Sequence, residues 1–299
     1  MYNPLVSVTV ITYNSGKTVI ETLDSIKEQT YQNIELIISD DCSKDNTIQL
    51  CKEWLKENES RFVRTVLIES EKNTGICANG NRALWECRGE WNKGIAGDDI
   101  FLPNCVQDFV EFVCEHTEAK WVSSYARTYA KYFKEENCTK RFVAPPMDFF
   151  SLSAEEQLVR MGSWNIFVAA SNFFETAMLK EIGGYDESYS FEDYPLFITL
   201  LERGRKCYFL DKETCCYRIH DSVFNSNKQL FNYKFLLQSR KFHEERCFKY
   251  CTKKQIFGQK MIWRIQDVMQ HLSLNKKIKW IEKPYNAIYY VVNKLTDNM

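Results

Sequence analysis

The chain has 299 residues, a formal net charge of −1, 26% charged and 44% hydrophobic residues, and only 11 Gly and 6 Pro. That composition excludes a collagen-like, low-complexity or mainly disordered chain, and the length suffices for one large domain or a domain with an appendage. No apolar run reaches the ~18 residues of a membrane span, and Met1-Tyr2-Asn3-Pro4 lacks the basic start and apolar stretch of a secretion signal, so a cytosolic location is expected.

Leu5 to Thr12 is a β-branched, nearly all-apolar run that reads as a strand buried on both faces, as in a parallel sheet. Asn14-Ser15-Gly16 turns the chain, and Val19, Ile20, Leu23 and Ile26 follow at helical spacing. Ile34 to Ser39 is a second strand, broken by Asp40-Asp41-Cys42-Ser43. Asp45 is placed to cap a helix carrying Ile48, Cys51, Trp54 and Leu55. Val63 to Glu69 is a third strand, Thr74 to Cys87 a helix, and Trp91 to Ala96 a short strand running into Gly97-Asp98-Asp99. This alternation predicts an α/β fold with a mainly parallel sheet. The aromatic-rich stretch 120–180 has mixed character, with Pro145-Pro146 as a break; Trp164, Phe167, Phe173 and Phe174 suit a core or an acceptor cleft. Gly183-Gly184 is a turn, Phe191 to Pro195 opens a helix ending near Gly204, and Cys207 to Leu210 is a strand. From Lys228 the pattern is helical, with one stripe at Leu230, Tyr233, Leu236 and Leu237, a second at Ile256, Ile262, Ile265, Val268, Met269 and Leu272, and a last helix from Pro284 to Leu295.

The 12 Cys form no C-x-x-C pair and are expected to be small, reduced packing residues rather than zinc ligands or disulfides. Charge is divided unevenly. Residues 228–299 carry 15 Lys/Arg against 5 Asp/Glu, while residues 1–227 carry 24 against 35. A basic tail on an acidic body invites an anionic partner: a membrane surface, a phosphorylated lipid or a nucleic acid. The alternative is a solvated helical face docked on the acidic body. No nucleic-acid motif is present, so nucleic acid is not expected. Lys276, Lys277, Lys279 and Trp280 suit a membrane interface or an ordinary solvated turn.

Three acidic clusters sit at strand ends or helix starts: Asp40/Asp41, Asp98/Asp99 and Glu192/Asp193. Ligands of open α/β sheets bind beyond the carboxyl ends of the strands. Adjacent buried carboxylates repel and want a cation, and oxygen-only ligands suit Mg or Mn. Glu192-Asp193 alone also fits a helix start that complements its dipole. Neither a P-loop nor a G-x-G-x-x-G dinucleotide motif is found.

The run VSVTVITYNSGKTVIETLDSIKEQTYQNIELIISDDCSKDNT is followed in order by NTGICANGNRALWECRGEW, AGDDIFLPN and GGYDESYSFEDYPLFITLLERG. This ordered set, over about residues 5–225, resembles the family-two glycosyltransferases of the GT-A fold. The resemblance implies a Rossmann-like, mainly parallel sheet flanked by helices over residues 1–225, with a basic helical extension over 226–299. It implies that Thr12, Tyr13, Asn14, Asp40, Asp41, Asn73, Gly75, Arg82 and Asp98 border the nucleotide sugar, with Tyr13 packed on the base and Asp41 hydrogen-bonded to it. Asp99, with Asp98 and His220, would hold a divalent metal, Mn or Mg. Asp193 would be the general base, with Glu192 beside it. The implied activity is inverting transfer from a nucleotide-diphosphate sugar to a saccharide or lipid-linked acceptor in bacterial surface-polysaccharide synthesis, by a cytoplasmic protein peripheral to the inner membrane face. Two departures stand out: Ala96-Gly97 replaces an acid often found just before the metal pair, and Gly80 replaces an Arg often found before Asn81. Gly80 would allow close approach of a ligand or backbone. A sugar nucleotidyltransferase and a non-catalytic sugar- or partner-binding scaffold remain open alternatives; Thr12 to Lys17 is a poor version of the Gly-rich basic loop that the former needs.

Overall fold

The structure is a computed structural model that describes residues 2–219 and 228–298. Two compact units are present: Met1–Gln157 with Ile166–Arg218, and Leu158–Asn165 with Ile219–Met299.

The first unit contains β1 (Val6–Thr12), α1 (Val19–Lys27), β2 (Ile34–Asp40), α2 (Thr47–Asn58), β3 (Arg64–Glu69), α3 (Ile76–Glu86), β4 (Trp91–Ala96), β5 (Ile100–Phe101), α4 (Cys105–Glu115), β6 (Trp121–Ala130) and β7 (Cys138–Val143). After α5 (Ala154–Met161), which runs into the second unit, come β8 (Asn172–Glu175), α6 (Thr176–Glu181), α7 (Asp193–Glu202) and β9 (Cys207–Ile219). The strands form one sheet in the order β3-β2-β1-β4-β8-β6-β9-β5, with β7 on β6. The β-branched strands β1 and β2 are buried at nearly every position, as a sheet covered on both faces requires. Pairing is parallel across β3-β2-β1-β4 and antiparallel for β4-β8, β6-β8, β6-β7 and β5-β9. The α/β class expected from the sequence is present, and the stretch of mixed character supplies the antiparallel part.

Register decides where the loops emerge. Thr12 lies beside Asp40 and Ile11 beside Ala96. The segments carrying Tyr13/Asn14, Asp41 and Asp98/Asp99 therefore leave one edge of the sheet. Val8, Val10, Leu23, Ile26, Leu36, Ile38, Val106 and Phe109 are fully buried around this frame, and burying each such side chain contributes about 1.5–3 kcal/mol. Phe167, Phe173 and Phe174 belong to the core, in ring contact with Trp91, Trp121 and Phe197, whereas Trp164 is exposed. All twelve cysteines carry free thiols and eight are buried, as packing residues are. A buried cation was not expected in β4: Lys93 has no exposed surface, donates to the Ala170 and Asn172 carbonyls and lies over the Phe101 and Phe109 rings.

The second unit contains α8 (Tyr233–Phe242), a π-helical turn over His243–Cys247, α9 (Lys253–His271) and α10 (Lys279–Leu295). Helix α9 opens with a capping box between Thr252 and Gln255. Three expectations here need correction. Leu230 precedes α8 rather than lying on it, and Leu237 is exposed. Val268 and Leu272 point to solvent, while Ile262 and Met269 are buried. Helix α10 starts five residues before Pro284. Proline is tolerated inside it because what it removes is one bond, to the Trp280 carbonyl, near the exposed start of the helix.

Candidate active site

The first acidic pair, at the end of β2, is filled by its own chain. Asp40 accepts from Thr12 Oγ1 at 2.8 Å, Ser43 N at 2.7 Å and Ser43 Oγ at 2.5 Å, and is 1% exposed. Asp41 Oδ1 accepts from Thr74 N at 3.0 Å, Thr74 Oγ1 at 2.9 Å and Arg82 Nη2 at 2.7 Å. Its Oδ2 accepts from Gly75 N at 2.8 Å and Thr74 N at 3.1 Å. Burial pushes the Asp41 carboxyl up, but these donors together outweigh it and hold the group below the usual carboxylate range. Asp41 thus fixes the start of α3, where Gly75 has φ +92°, a conformation that favours glycine.

The β1–α1 segment is tied to the same place. Asn14, at φ 52°, receives Lys44 N on its Oδ1 and donates its own N to Ser43 Oγ, both at 2.8 Å. Tyr13 is half exposed beside it, Thr12 is buried, and Asn73 is exposed. Asp45 does not cap α2 at its own position; it accepts from Thr47 N at 3.1 Å and from Gly16 N at 2.9 Å, linking the two loops.

The second pair differs. Asp99 is 3% exposed, and its Oδ1 accepts from Arg218 N at 2.7 Å. Among the described residues nothing donates to its Oδ2. Burial, and then the neighbouring Asp98 charge, push the Asp99 carboxyl well above its usual range; Arg218 opposes this only in part. Helix α1 holds the turn through Thr18 Oγ1 to Gly97 O and Thr22 Oγ1 to Asp99 O, both at 2.7 Å.

Glu192 and Asp193 open α7. A carboxylate placed only to complement a helix dipole is held low. Glu192 goes the other way: burial, then the charge of Asp193, push it up to about 8, and its side chain makes no capping bond. Asp193 Oδ1 accepts from Tyr194 N at 2.7 Å. Tyr217, on β9, feels the charge of both pairs. Its phenol is raised by burial and then by the charges of Asp99, Asp98, Asp193 and Glu192. On α3, Cys77 is raised to about 12 by burial and then by the charges of Glu192, Asp186, Glu187 and Asp193. His220 lies outside the described residues.

Several residues in this cluster were not singled out by sequence. Asn79 bonds Ser39 Oγ at 2.6 Å and the Thr12 carbonyl at 3.2 Å, joining α3 to the ends of β1 and β2. Asn81 clamps the turn before α7 by receiving Tyr185 N at 2.8 Å and donating to Tyr185 O at 2.9 Å and Glu187 Oε1 at 2.8 Å. Arg218 is a buried hub: Nε donates to Asp98 O at 2.7 Å, Nη1 to Lys131 O and Nη2 to Glu21, and the guanidinium lies 4.1 Å from the Phe133 ring centroid. Its polar neighbours come from residues up to 197 positions away, so no local pattern could reveal it. At Gly80 the close approach is real, but its object is a side chain: an added Cβ would meet the Tyr185 ring at 2.9 Å.

The model of Glycosyl transferase family 2 matches residues 7–174. The chain belongs to this family. Among its relatives is WfaP of Escherichia coli, a UDP-Glc:alpha-D-GlcNAc-diphosphoundecaprenol beta-1,3-glucosyltransferase, 27% identical over 231 residues that cover 75% of this chain and 81% of WfaP. The glycosyltransferase GlyG of Streptococcus pneumoniae serotype 4 is 31% identical over 121 residues, 40% of this chain; the chain spans only 39% of GlyG. Residues 1–349 of S. aureus TarS, in complex with UDP-GlcNAc, share the fold with a TM-score of 0.56 at 18% identity, over 95% of this chain and 70% of that one. The mannosyltransferase PcManGT of Pyrobaculum calidifontis, in complex with GDP-Man and Mn2+, gives a TM-score of 0.55 at 22% identity, over 72% of this chain and 57% of its own. The GT-A scaffold of this family-2 glycosyltransferase follows from these likenesses. No described helix is long and apolar enough to cross a membrane.

Proposed function

We propose that residues 1–225 form an inverting glycosyltransferase domain that moves a sugar from a nucleotide-diphosphate donor to a hydroxyl of a saccharide or lipid-linked acceptor, in surface-polysaccharide synthesis. The carrying observation is that the buried Asp99 carboxyl, which among the described residues accepts only from Arg218 N and is driven high, and the raised Glu192 carboxyl both contribute to the charge that raises the Tyr217 phenol. Beside them, the loops of β1 and β2 and the start of α3 meet at Asp41 and Asn79. Thr12, Tyr13, Asn14, Asp40, Asp41, Asn73, Gly75, Arg82 and Asp98 would border the donor, with half-exposed Tyr13 free to pack on a base.

A sugar hydroxyl is a poor nucleophile near neutral pH, and a carboxylate within hydrogen-bond reach takes its proton as it attacks the anomeric carbon. Of the two acids that open α7, Asp193 would take that role, with Glu192, pushed up by burial and by its neighbour's charge, beside it. Displacement by a single base inverts the anomeric centre.

Among the described residues no cluster of three or more His, Cys, Asp or Glu is arranged to hold a metal. Asp98 and Asp99 nevertheless fit a hard divalent ion, Mn or Mg. They offer oxygen ligands, and among the described residues only Arg218 N donates to the Asp99 carboxyl, which burial and the Asp98 charge drive high. His220 is the further candidate ligand. Such an ion would stabilise the leaving diphosphate. WfaP, whose name gives a lipid-linked acceptor, supports the same acceptor class here, and the basic residues 226–299 would place the protein peripherally on the inner membrane face.

Thermal stability against UDP, GDP and dTDP and their sugars, with and without manganese, tests the reading, because a ligand raises apparent stability by mass action. A manganese-dependent rise with one nucleotide, lost in Asp99→Ala, is expected. A chain indifferent to every nucleotide would sink the donor site, and one that transfers normally as Asp193→Asn would sink the base.

A further inference from the structure

Helix α10 carries two apolar stripes. One, through Ile281, Tyr285 and Val292, is buried, with Ile281 and Tyr285 packed on Met269, Ile265 and Phe231 of its own unit. The other is exposed. Trp280, Pro284, Ile288, Val291 and Leu295 recur at i, i+4, i+8, i+11 and i+15, which places them on one helical face. Trp280 is 70% exposed, Ile288 45%, Val291 50% and Leu295 65%. Lys279, Lys283 and Lys294, all exposed, fall side by side along one border of that face, and exposed Lys276 and Lys277 precede the helix. A solvated helix has no reason to present five apolar residues in register.

We propose that this face of α10 is an in-plane anchor for an anionic lipid surface. The apolar stripe enters the headgroup boundary, and the lysine row meets the lipid charge. Charge selects this occupant. A second copy docking here through the same face would bring lysines against lysines, and residues 228–299 as a whole carry 15 Lys/Arg against 5 Asp/Glu. The helix is 17 residues long, and no described helix is apolar enough to span, so it lies on the membrane rather than through it. The inference deepens the membrane reading above and rests on it, but not on the base or the metal.

The test is co-sedimentation of the full chain with vesicles of phosphatidylcholine alone or with added phosphatidylglycerol, alongside donor binding on the same preparation. Binding to the anionic vesicles is expected, weakened roughly tenfold or more by Trp280→Ser/Val291→Ser/Leu295→Ser and also by Lys279→Glu/Lys283→Glu/Lys294→Glu, with helicity unchanged. Should the first variant misfold, the second decides. Absence of binding, equal binding to neutral vesicles, or binding unaffected by a folded variant overturns the proposal. So does self-association of the wild type that the stripe variant abolishes, which would make the face a contact between copies. A chain that binds donor but ignores vesicles removes the anchor alone; one that binds vesicles but no donor removes the transferase reading alone.

Discussion

Two pairs of aspartates end neighbouring parts of the same sheet, and the protein treats them in opposite ways. Asp40/Asp41 is enclosed by backbone N–H groups, hydroxyls and Arg82, and the Asp41 carboxyl is held low. Asp98/Asp99 is equally deep at Asp99 but receives one backbone donor there, and the carboxyl is driven high. Sequence makes them look alike; donor supply separates them. A saturated pair organises loops. A buried carboxyl with one donor among the described residues, as at Asp99, is a cost in a protein of marginal stability.

The largest expected effect tests the proposed base. Asp193→Asn should lower turnover by about 10²–10⁴-fold at saturating donor while leaving the melting temperature and donor affinity near wild type; steady-state kinetics with calorimetry reads both. Next comes the contrast itself. Asp41→Asn strands Arg82 and the start of α3 and should cost about 3 kcal/mol in urea unfolding, whereas Asp99→Asn, in the absence of donor and metal, should cost nothing or stabilise slightly. Equal losses would break the comparison. The pH response sharpens it. The Asp41 carboxyl is lowered from 3.8, so its contribution is present above that value and fades as pH falls below it. The Glu192 carboxyl is raised from 4.5 to about 8, so its contribution is complete below 4.5 and lost as pH climbs to about 8. Glu192→Gln should therefore reduce the fall in melting temperature across that window, read by calorimetry at a series of pH values. Arg218→Lys is expected to have the smallest effect. It keeps the charge but not the three-way donation, and should lower the melting temperature by only a few degrees.

Much of the first unit was legible from sequence because hydrophobic period and turn chemistry are local. The strand Trp91–Ala96 and the helix containing Leu23 and Ile26 are where their patterns put them. The antiparallel strands β6 to β8 were not, since their pairing joins residues such as Trp121 and Phe174 across long stretches of chain. The acids of the candidate site announced themselves by position in an ordered set of motifs. Arg218, Tyr217 and Asn79 did not, because each acts through partners distant in sequence. In the second unit helical content was readable, but which apolar residues face inward was not: a helix with two apolar stripes has no single period to read.

Gly80 and Tyr185 bear on how this chain can drift over evolutionary time. With 2.9 Å between an added Cβ and the ring, any larger residue at 80 must displace an aromatic whose backbone Asn81 holds on both sides. Neither position can change in size by a single step without a strained or hollow intermediate. A side chain at 80 is therefore accommodated only by remodelling the turn that leads to Glu192 and Asp193.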